Sequence, residues 1–300
     1  MNLSGLHLLL TYQCNYSCDH CFVWGDPCQS GTMTLKDIEE ILKQTVRYGS
    51  IRSIYFEGGE PFLYYPIMLK GIRMAAERGY SVGVVTNGYW ATGAEDAAEW
   101  LRPLSGLIGD LSVSSDLYHE SEPVGLKAQF ISKAAGMLGI QSGIISIAQP
   151  EEHDGASPSG QLTKGKSSVM YKGRAAVKLA DKAIQRPWSE FTDCPYEDLE
   201  EPGRVHVDPF GNLHICQGIV IGNIFTTDLA TICERYNIGT HPITGPLHRG
   251  GPVELVDRYS LPKSEKYADA CHMCYEARQN LRSRFVDILT PDQMYGSPCE

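Results

Sequence analysis

Three cysteines near the N-terminus could hold a metal centre. Cys14, Cys18 and Cys21 form a CxxxCxxC run after an apolar segment, Leu6 to Leu10, which predicts a β-strand. Thiolates bind iron–sulfur clusters, and a [4Fe–4S] cube has four irons. Three thiolates would therefore leave one iron open to a ligand that the protein does not supply. The same run could instead bind zinc, with Cys28 as a fourth ligand.

A second group of cysteines lies in the C-terminal third of the chain. It comprises Cys194, Cys216, Cys271 and Cys274. Four thiolates can hold either another [4Fe–4S] cluster or a structural zinc ion, and their spacing does not separate the two. Cys28, Cys233 and Cys299 belong to neither group, and we expect ordinary buried or free thiols there.

Length and composition exclude several classes of protein. The chain has 300 residues, which suits one large domain or a large and a small one. Its net charge of −10 argues against a general nucleic-acid-binding protein. No export signal and no apolar run of membrane-spanning length is present. We therefore expect a cytoplasmic protein without membrane or nucleic-acid partners, whose ten cysteines are reduced and can bind metal.

Strands and helices alternate through residues 6–184. After the first strand, further strands are expected over 53–57, 81–85, 111–114, 143–148 and 169–172. Helices are expected between the N-cap Thr34 and Gly49 and over 66–78, 94–101, 126–138 and 175–184. This alternation predicts an α/β fold with a parallel sheet, as a partial (β/α)6 barrel over residues 1–187. A small β-rich module is expected over residues 188–300.

One segment interrupts the alternation. Gln149 to Ser168 is polar, contains Gly, Ser and Pro, and has no helical period. Loops of this length in compact domains are usually functional or disordered. We interpret the segment as a lid over the open barrel.

Polar and glycine-rich residues follow the predicted strands, where barrels of this kind place their functional groups. Gly58 and Gly59, before Glu60 and Pro61, follow the second strand, and paired glycines allow the backbone to approach a ligand closely. The next two strands end in amide, hydroxyl and carboxylate groups: Asn87, Ser112, Ser114 and Asp116. An ordinary βα turn and simple capping residues are the alternative interpretations.

The CxxxCxxC run, followed in register by Gly-Gly-Glu-Pro, resembles the radical SAM superfamily. The resemblance implies that Cys14, Cys18 and Cys21 hold a [4Fe–4S] cluster whose open iron is chelated by S-adenosylmethionine. Reduction of that cluster would then produce a 5′-deoxyadenosyl radical that abstracts a substrate hydrogen. The family pattern assigns the remaining cofactor contacts to His20, which stands where an aromatic residue is preferred, and to Gly58, Gly59, Glu60, Asn87, Ser112, Ser114 and Asp116.

The C-terminal cysteines resemble the SPASM/Twitch extension of radical SAM enzymes. Gly211 precedes Cys216, a Gly-Asn-Ile follows, and the CxxC comes later. A full SPASM module has further cysteines after the CxxC, and Tyr275 to Ser283 contains none. The shorter Twitch form is therefore implied, with one auxiliary [4Fe–4S] cluster held by the four cysteines of the second group.

Gly173-Arg174-Ala175 resembles an element of enzymes that carry such an extra cluster. The resemblance implies that Arg174 is a catalytic-site residue that points into the barrel mouth and binds a carboxylate or a substrate oxygen. A surface salt bridge at a helix start is the alternative.

An auxiliary cluster that accepts an electron favours net oxidation. The cysteine pattern resembles the Twitch-bearing 2-deoxy-scyllo-inosamine dehydrogenase family, which oxidises a secondary alcohol to a ketone. The broader resemblance is to sulfatase- and peptide-maturating enzymes, but residues 1–5 leave no room for an N-terminal peptide-recognition domain. We therefore expect a radical SAM oxidoreductase with a small-molecule substrate and a flavodoxin- or ferredoxin-type reductant. A peptide maturase and a non-enzymatic zinc or iron–sulfur protein are the alternatives.

Overall fold

Eleven strands and eight α-helices lie among residues 1–119, 125–151, 165–296 and 298–299, which this computed structural model describes. The strands are β1 Leu3–Thr11, β2 Ser53–Gly58, β3 Ser81–Thr86, β4 Asp110–Ser114, β5 Ser142–Ile147, β6 Gly165–Ser167, β7 Arg186–Pro187, β8 Gly203–Val207, β9 Asn212–Cys216, β10 Ile219–Asn223 and β11 Lys266–Tyr267. The helices are α1 Leu35–Tyr48, α2 Tyr65–Ala76, α3 Ala94–Leu101, α4 Leu126–Met137, α5 Arg174–Lys178, α6 Leu229–Arg235, α7 Thr244–Tyr259 and α8 Ala270–Leu281.

Nine strands form one sheet in the order β10-β9-β8-β1-β2-β3-β4-β5-β6. Strands β1 to β6 pair in parallel with their neighbours, and α1 to α4 connect β1 to β5. The predicted α/β fold with a parallel, partial-barrel sheet is therefore confirmed. On the other side of β1, β8 pairs in parallel, and β9 and β10 continue the sheet antiparallel. The predicted domain boundary at residue 187 stays a prediction, and strands from beyond it extend the same sheet.

Helix α1 shows how local sequence sets an element's bounds. Thr34 accepts a hydrogen bond from Asp37 N, while the Asp37 carboxylate accepts one from Thr34 N, which forms a capping box. The helix ends at Gly49, whose φ of 86° is the left-handed conformation that glycine adopts without strain. Ile38 and Ile41 are fully buried. The expected N-cap and helix stop are both confirmed.

The two faces of β1 serve different purposes. Leu6, Leu8 and Leu10 are fully buried in the same hydrophobic cluster as Ile38 of α1. Side chains alternate across a strand, so the residue between the first two, His7, lies on the opposite face. That face borders the cavity described below. Because the leucines bury one face of β1, the His7 side chain must point from the other face.

The last strand of the barrel differs from the sequence prediction. Strand β6 covers Gly165–Ser167, whereas the strand expected over 169–172 is irregular, and α5 ends at Lys178. The backbone there turns towards the cysteine loop, where Arg174 N donates to Cys21 O at 2.9 Å. Gly173 has a φ of +61°, and a Cβ on it would lie 2.5 Å from Phe22 O. This long-range contact bends residues 169–173 away from a regular strand.

Most of the predicted lid, residues 152–164, lies outside the described residues. Among the described residues, no helix combines the length and apolar character that crossing a bilayer requires.

The Asp208 carboxylate stabilises the turn between β8 and β9 by accepting hydrogen bonds. It is fully buried and accepts hydrogen bonds from Tyr12 Oη at 3.0 Å and His214 Nε2 at 3.1 Å. It also accepts from the backbone N–H groups of Phe210 and Asn212, both at 2.9 Å. Burial by itself raises the pKa of Asp208, but the hydrogen bonds from His214 and Asn212 outweigh it and hold the pKa below its usual range.

Replacing Asp208 with asparagine is expected to destabilise the protein by about 3 kcal/mol, because an amide cannot accept from every donor around it. Since the folded-state pKa is depressed, the carboxylate stabilises the fold above the unfolded pKa of about 4, and this contribution is lost as the pH falls through the folded value. Urea unfolding at pH 7 and below pH 4 tests both expectations. Asp198→Asn is the control, since Asp198 is exposed. Equal losses in the two variants would contradict the assignment.

Candidate functional site

A cavity of about 420 Å³ lies against the inner face of the sheet. Its lining includes side chains from β1 to β5 and from β8, together with the loop that follows β1. Protein cavities that bind small molecules commonly have this size. Side chains that are far apart in the sequence, from His7 to His206, therefore line one cavity.

The cysteine loop forms one wall of this cavity. Cys14, Cys18 and Cys21 all line it, and no other cysteine of the described ranges does. N–H groups point at the sulfurs: Tyr16 N donates to Cys14 Sγ at 3.4 Å, and Gly25 N donates to Cys21 Sγ at 3.2 Å. N–H donors of this kind stabilise negative charge on sulfur. The structure thus brings the predicted first cysteine group together at one cavity.

Burial controls the protonation of these thiols. Burial raises the pKa of Cys14 to about 12, and it also raises the pKa of Cys18 and of Cys21, where the Arg174 charge opposes it. Thiols in such a site stay protonated until a cation replaces the proton. The loop is therefore suited to metal rather than to a free nucleophilic thiolate.

Arg174 is fully buried behind the cysteine loop and does not point into the barrel mouth as predicted. Its Nη1 donates to Cys18 O at 3.0 Å and to Gly25 O at 3.1 Å, and its Nη2 contacts Asp26 Oδ2 at 3.2 Å. The forked guanidinium can donate to several of the loop's carbonyl groups at once, which ties them together. Arg174 is a positioning residue for the cysteines, not a substrate ligand.

Changing Arg174 to lysine is expected to lower the iron content of the purified protein and to cost about 3 kcal/mol of unfolding free energy. A lysine keeps the charge but cannot reproduce the forked donors that join Cys18, Gly25 and Asp26. Iron analysis and urea unfolding measure the two effects. Arg186→Lys is the control, because Arg186 is exposed and pairs with Glu190 on the surface. Full iron content in Arg174→Lys would refute this role.

The Gly-Gly turn after β2 packs directly on the cysteine loop. A Cβ on Gly59 would lie 2.0 Å from Gln13 O, and one on Gly58 would lie 2.4 Å from Thr11 O. Gly59 N donates to Thr11 O at 2.7 Å. Both glycines line the cavity. Only glycine permits this approach, so the turn and the loop are held together as one unit.

The Glu60 side chain does not line the cavity, and the predicted contact of this turn with the cofactor stays a prediction. It is fully buried, and its carboxylate accepts from Phe62 N at 3.0 Å, Thr86 Oγ1 at 2.8 Å and Asn87 N at 2.7 Å. Burial raises the pKa of Glu60 to about 7. Glu60 ties the end of β2 to the end of β3, and its neighbours Gly58 and Gly59 are the part of the turn that faces the cavity.

Asn87, Ser112 and Ser114 line the cavity, and their predicted contacts with the cofactor stay a prediction. Asn87 Nδ2 lies 3.5 Å from Cys14 Sγ and donates to Asn15 Oδ1 at 2.9 Å. Ser112 and Ser114 sit two residues apart on β4, so their side chains share the cavity face. Asn87 therefore lies beside the cysteine loop, and Ser112 and Ser114 line the same cavity.

Asp116 is buried and does not line the cavity, contrary to the expectation of a cofactor contact. Its carboxylate is occupied by His119 Nδ1 at 2.7 Å and by Ile147 N at 3.0 Å. His20 does line the cavity, stacked on Tyr118 with ring centroids 4.7 Å apart. Burial lowers the pKa of His20 to about 4, so its ring is neutral at pH 7. Its Nδ1 is buried without a hydrogen-bond partner among the described residues.

A group of ionisable side chains in the same cavity was missed by the sequence reasoning. His7, Glu57 and His206 lie on β1, β2 and β8, and all three line the cavity. Burial by itself raises the pKa of Glu57, but the two histidines outweigh it and hold that pKa far below its usual range. Burial lowers the pKa of His206. His7 could have been found from the sequence, because it is a polar residue that alternates with apolar residues in a predicted strand. His206 could not, because its position depends on the pairing of two strands that are far apart in the sequence.

The second cysteine group also comes together. A smaller neighbouring cavity is lined by all four of its members: Cys194, Cys216, Cys271 and Cys274. Cys271 and Cys274 lie in the first turns of α8, and Cys216 ends β9. Buried Arg278 lines the cavity as well and donates to Cys274 O at 3.3 Å. Four thiols beside a buried cation form a donor set for a metal centre.

Lys172 and Glu197 separate the two cavities. Both residues line both spaces, and Lys172 Nζ lies 3.3 Å from Glu197 Oε1. Lys172 Nζ also lies 5.8 Å from the ring centre of Phe22, which directly follows Cys21. The two cavities that the two cysteine groups line therefore share one wall.

The remaining cysteines only partly follow the expectation. Cys28 and Cys299 form a disulfide, so neither is the free thiol expected, and Cys28 is not available as a fourth zinc ligand. Their pairing spans 271 residues, which no local pattern reveals. Cys233 is buried in the main hydrophobic cluster, as predicted.

Two relatives with assigned names match part of the chain. It is 28% identical over 111 residues to a putative peptide biosynthesis protein, YydG, of Bacillus subtilis, and 33% identical over 109 residues to the tungsten-containing aldehyde ferredoxin oxidoreductase cofactor-modifying protein of Pyrococcus furiosus. The matches cover 37% and 35% of this chain and 35% and 28% of the relatives. The chain therefore matches about a third of the length of these proteins.

Two solved structures share the fold. BtrN in complex with AdoMet and 2-DOIA superposes with a TM-score of 0.50 at 16% identity, covering 78% of this chain and 84% of that one. AnSMEcpe with bound AdoMet gives a TM-score of 0.50 at 13% identity, covering 95% and 98%. Residues 8–120, which carry the first cysteine group and the Gly-Gly turn, match the sequence profile of the radical SAM superfamily. The part of the chain that carries the first cysteine group is therefore similar to the radical SAM superfamily.

Proposed function

We propose that this chain is a radical SAM oxidoreductase with two iron–sulfur clusters. Cys14, Cys18 and Cys21 would hold the [4Fe–4S] cluster that binds S-adenosylmethionine. The second cysteine group, on a Twitch-type module within residues 188–300, would hold an auxiliary [4Fe–4S] cluster. The net reaction would be the oxidation of a small molecule, of the alcohol-dehydrogenation type, with electrons from a flavodoxin- or ferredoxin-type reductant.

The residues present fit these groups. The first set offers three sulfurs with N–H donors directed at Cys14 and Cys21, as thiolate ligands require. The cavity beside it contains the unpartnered Nδ1 of His20 and the side chains of Ser112 and Ser114, which can contact a polar cofactor. The second set offers four sulfurs, which complete a cube without an external ligand.

The observation that most strongly supports an oxidation is the wall shared by the two cavities that the cysteine groups line. When bound and reduced, the first cluster supplies the electron that cleaves S-adenosylmethionine to methionine and 5′-deoxyadenosine, with the hydrogen taken from substrate. The chain's own residues hold the substrate in the cavity, exclude water and provide the wall of Lys172 and Glu197 towards the second site. A substrate in that cavity would lie between the two cysteine groups.

The cavity lining favours a small, polar substrate. Charged or ionisable groups line part of the cavity, among them His7, Glu57, Arg204 and His206. Such groups suit hydroxyl, amino or carboxylate substituents rather than an apolar chain. The relative YydG supports a second candidate, modification of a peptide residue. Enrichment of a genetically linked precursor peptide by the holoprotein would favour that candidate.

Iron and sulfide analysis of anaerobically purified protein tests the proposal. Two cubes give about eight iron and eight sulfide ions per chain. Alanine replacement of either cysteine group should remove about half of each. Tightly bound zinc without sulfide would contradict the proposal and favour a non-enzymatic metal protein.

A further inference from the structure

Three adjacent strands place two imidazoles and one carboxylate at the wall of the larger cavity. In the sheet register, His7 of β1 pairs with His206 of β8, and Leu9 of β1 pairs with Glu57 of β2. Neighbouring strands lie about 4.8 Å apart, so side chains on one face of such a trio meet at short range. All three side chains point into the cavity.

The donor atoms are gathered around one carboxylate oxygen. Glu57 Oε1 lies 3.3 Å from His7 Nδ1 and 2.9 Å from His206 Nε2. Their ligating atoms all lie within 4.8 Å of one another. The side chains of His7, Glu57 and His206 retain 12%, 13% and 18% exposure, so an ion from solvent can reach them.

We propose that His7, Glu57 and His206 form a binding site for a divalent transition-metal ion. Nitrogen and oxygen ligands bind such ions at about 2.1 Å, so two ligands separated by 90–109° lie roughly 3.0–3.4 Å apart. The observed separation of 3.3 Å lies within this range, and that of 2.9 Å lies just below it. An ion would replace the protons that now lie between the imidazoles and Glu57.

The surroundings hold the two rings in place, as ligating histidines require. The His7 ring stacks on Tyr55 with centroids 4.7 Å apart, and the His206 ring lies 5.8 Å from Phe22. Asp110 and Arg204 also line the cavity, with opposite formal charges. Together with Glu57, these three residues carry one net negative charge.

Two histidines and one carboxylate leave coordination positions open. These positions would face the cavity, where an oxygen or nitrogen atom of the substrate would complete the coordination. The donor set selects ions such as Mn²⁺, Fe²⁺ and Zn²⁺, whereas the thiol groups select iron–sulfur clusters. The site is therefore distinct from both cysteine groups and does not depend on the proposed oxidation.

Titration of the holoprotein with Mn²⁺ alone tests the proposal, because Mn²⁺ prefers nitrogen and oxygen ligands to thiolates. Anaerobic samples with oxidised clusters are titrated while the EPR signal of free Mn²⁺ is recorded. The wild type should bind one Mn²⁺ per chain, and Zn²⁺ should displace it. Glu57→Gln and, independently, His206→Gln should weaken binding by about 100-fold or more.

His119→Gln is the matched control, because His119 is another imidazole of the same cavity and pairs with Asp116. It should bind Mn²⁺ as the wild type does. The iron content and unfolding midpoint of each variant report whether it has folded, and the two ligand variants give separate readings if one has not. Absence of stoichiometric Mn²⁺ binding in the wild type would overturn the proposal. So would unchanged binding in both ligand variants, or loss of binding in His119→Gln.

Discussion

The variant with alanine at positions 14, 18 and 21 is expected to release no 5′-deoxyadenosine above the rate of a protein-free reaction. The three sulfurs of Cys14, Cys18 and Cys21 line one cavity, and no other cysteine of the described ranges can replace them there. Without them the cluster that reduces S-adenosylmethionine has no ligands. Chromatography of the nucleoside after anaerobic incubation with S-adenosylmethionine and dithionite measures the effect.

Cys233→Ala provides the matched control for that experiment. Cys233 is buried in α6 and lines neither cavity. Its replacement should cost about 1 kcal/mol of stability and leave 5′-deoxyadenosine release unchanged. If the triple variant still releases the nucleoside at the rate of Cys233→Ala, the assignment of the first cysteine group is wrong.

The second large effect is expected from the double variant Cys271→Ala, Cys274→Ala. It should lose about four iron ions per chain, keep the cleavage of S-adenosylmethionine, and yield no oxidised product. The reason is that the substrate would lose its hydrogen but could not pass on the remaining electron, since the second cysteine group is incomplete. Parallel assays of 5′-deoxyadenosine and of product from one reaction separate the two steps.

Two outcomes of that experiment distinguish the possible roles of the second group. Unchanged product formation would show that an auxiliary cluster is not the electron acceptor. Loss of both cleavage and product, with a lowered unfolding midpoint, would point to a structural role for Cys271 and Cys274. Only retained cleavage with lost product agrees with the electron-accepting role.

Local sequence signals were sufficient to predict most of the strands and helices of the barrel. The strand over Leu6 to Leu10, the N-cap Thr34 and the helix stop at Gly49 depend on neighbours in sequence, and the structure confirms each of them. The two cysteine groups were also predictable, because few residue types bind metal and their spacings are distinctive. These features need no knowledge of distant contacts.

Side-chain direction was not predictable where it depends on distant contacts. Arg174 was expected at the barrel mouth, but its guanidinium satisfies loop carbonyls 149 to 156 residues earlier. Glu60 and Asp116 carry the residue types of ligand contacts, yet their carboxylates bind the ends of neighbouring strands. A motif states which residue types are present and does not state which face of a turn each occupies.

The other features that the sequence did not predict depend on contacts between distant parts of the chain. His206 reaches His7 because β8 inserts beside β1, a parallel pairing between strands about two hundred residues apart in sequence. Gly173 contacts Phe22 and thereby replaces the expected sixth strand with an irregular segment. Cys28 meets Cys299 at the other end of the chain. None of these contacts leaves a periodic pattern in either partner.

The most direct test of the account is the reductive cleavage of S-adenosylmethionine by the wild-type protein. Protein purified without air is mixed with S-adenosylmethionine and dithionite, and methionine and 5′-deoxyadenosine are quantified over time. We predict that both appear in equal amounts and that neither appears without reductant. Full iron and sulfide content with no 5′-deoxyadenosine would contradict the account.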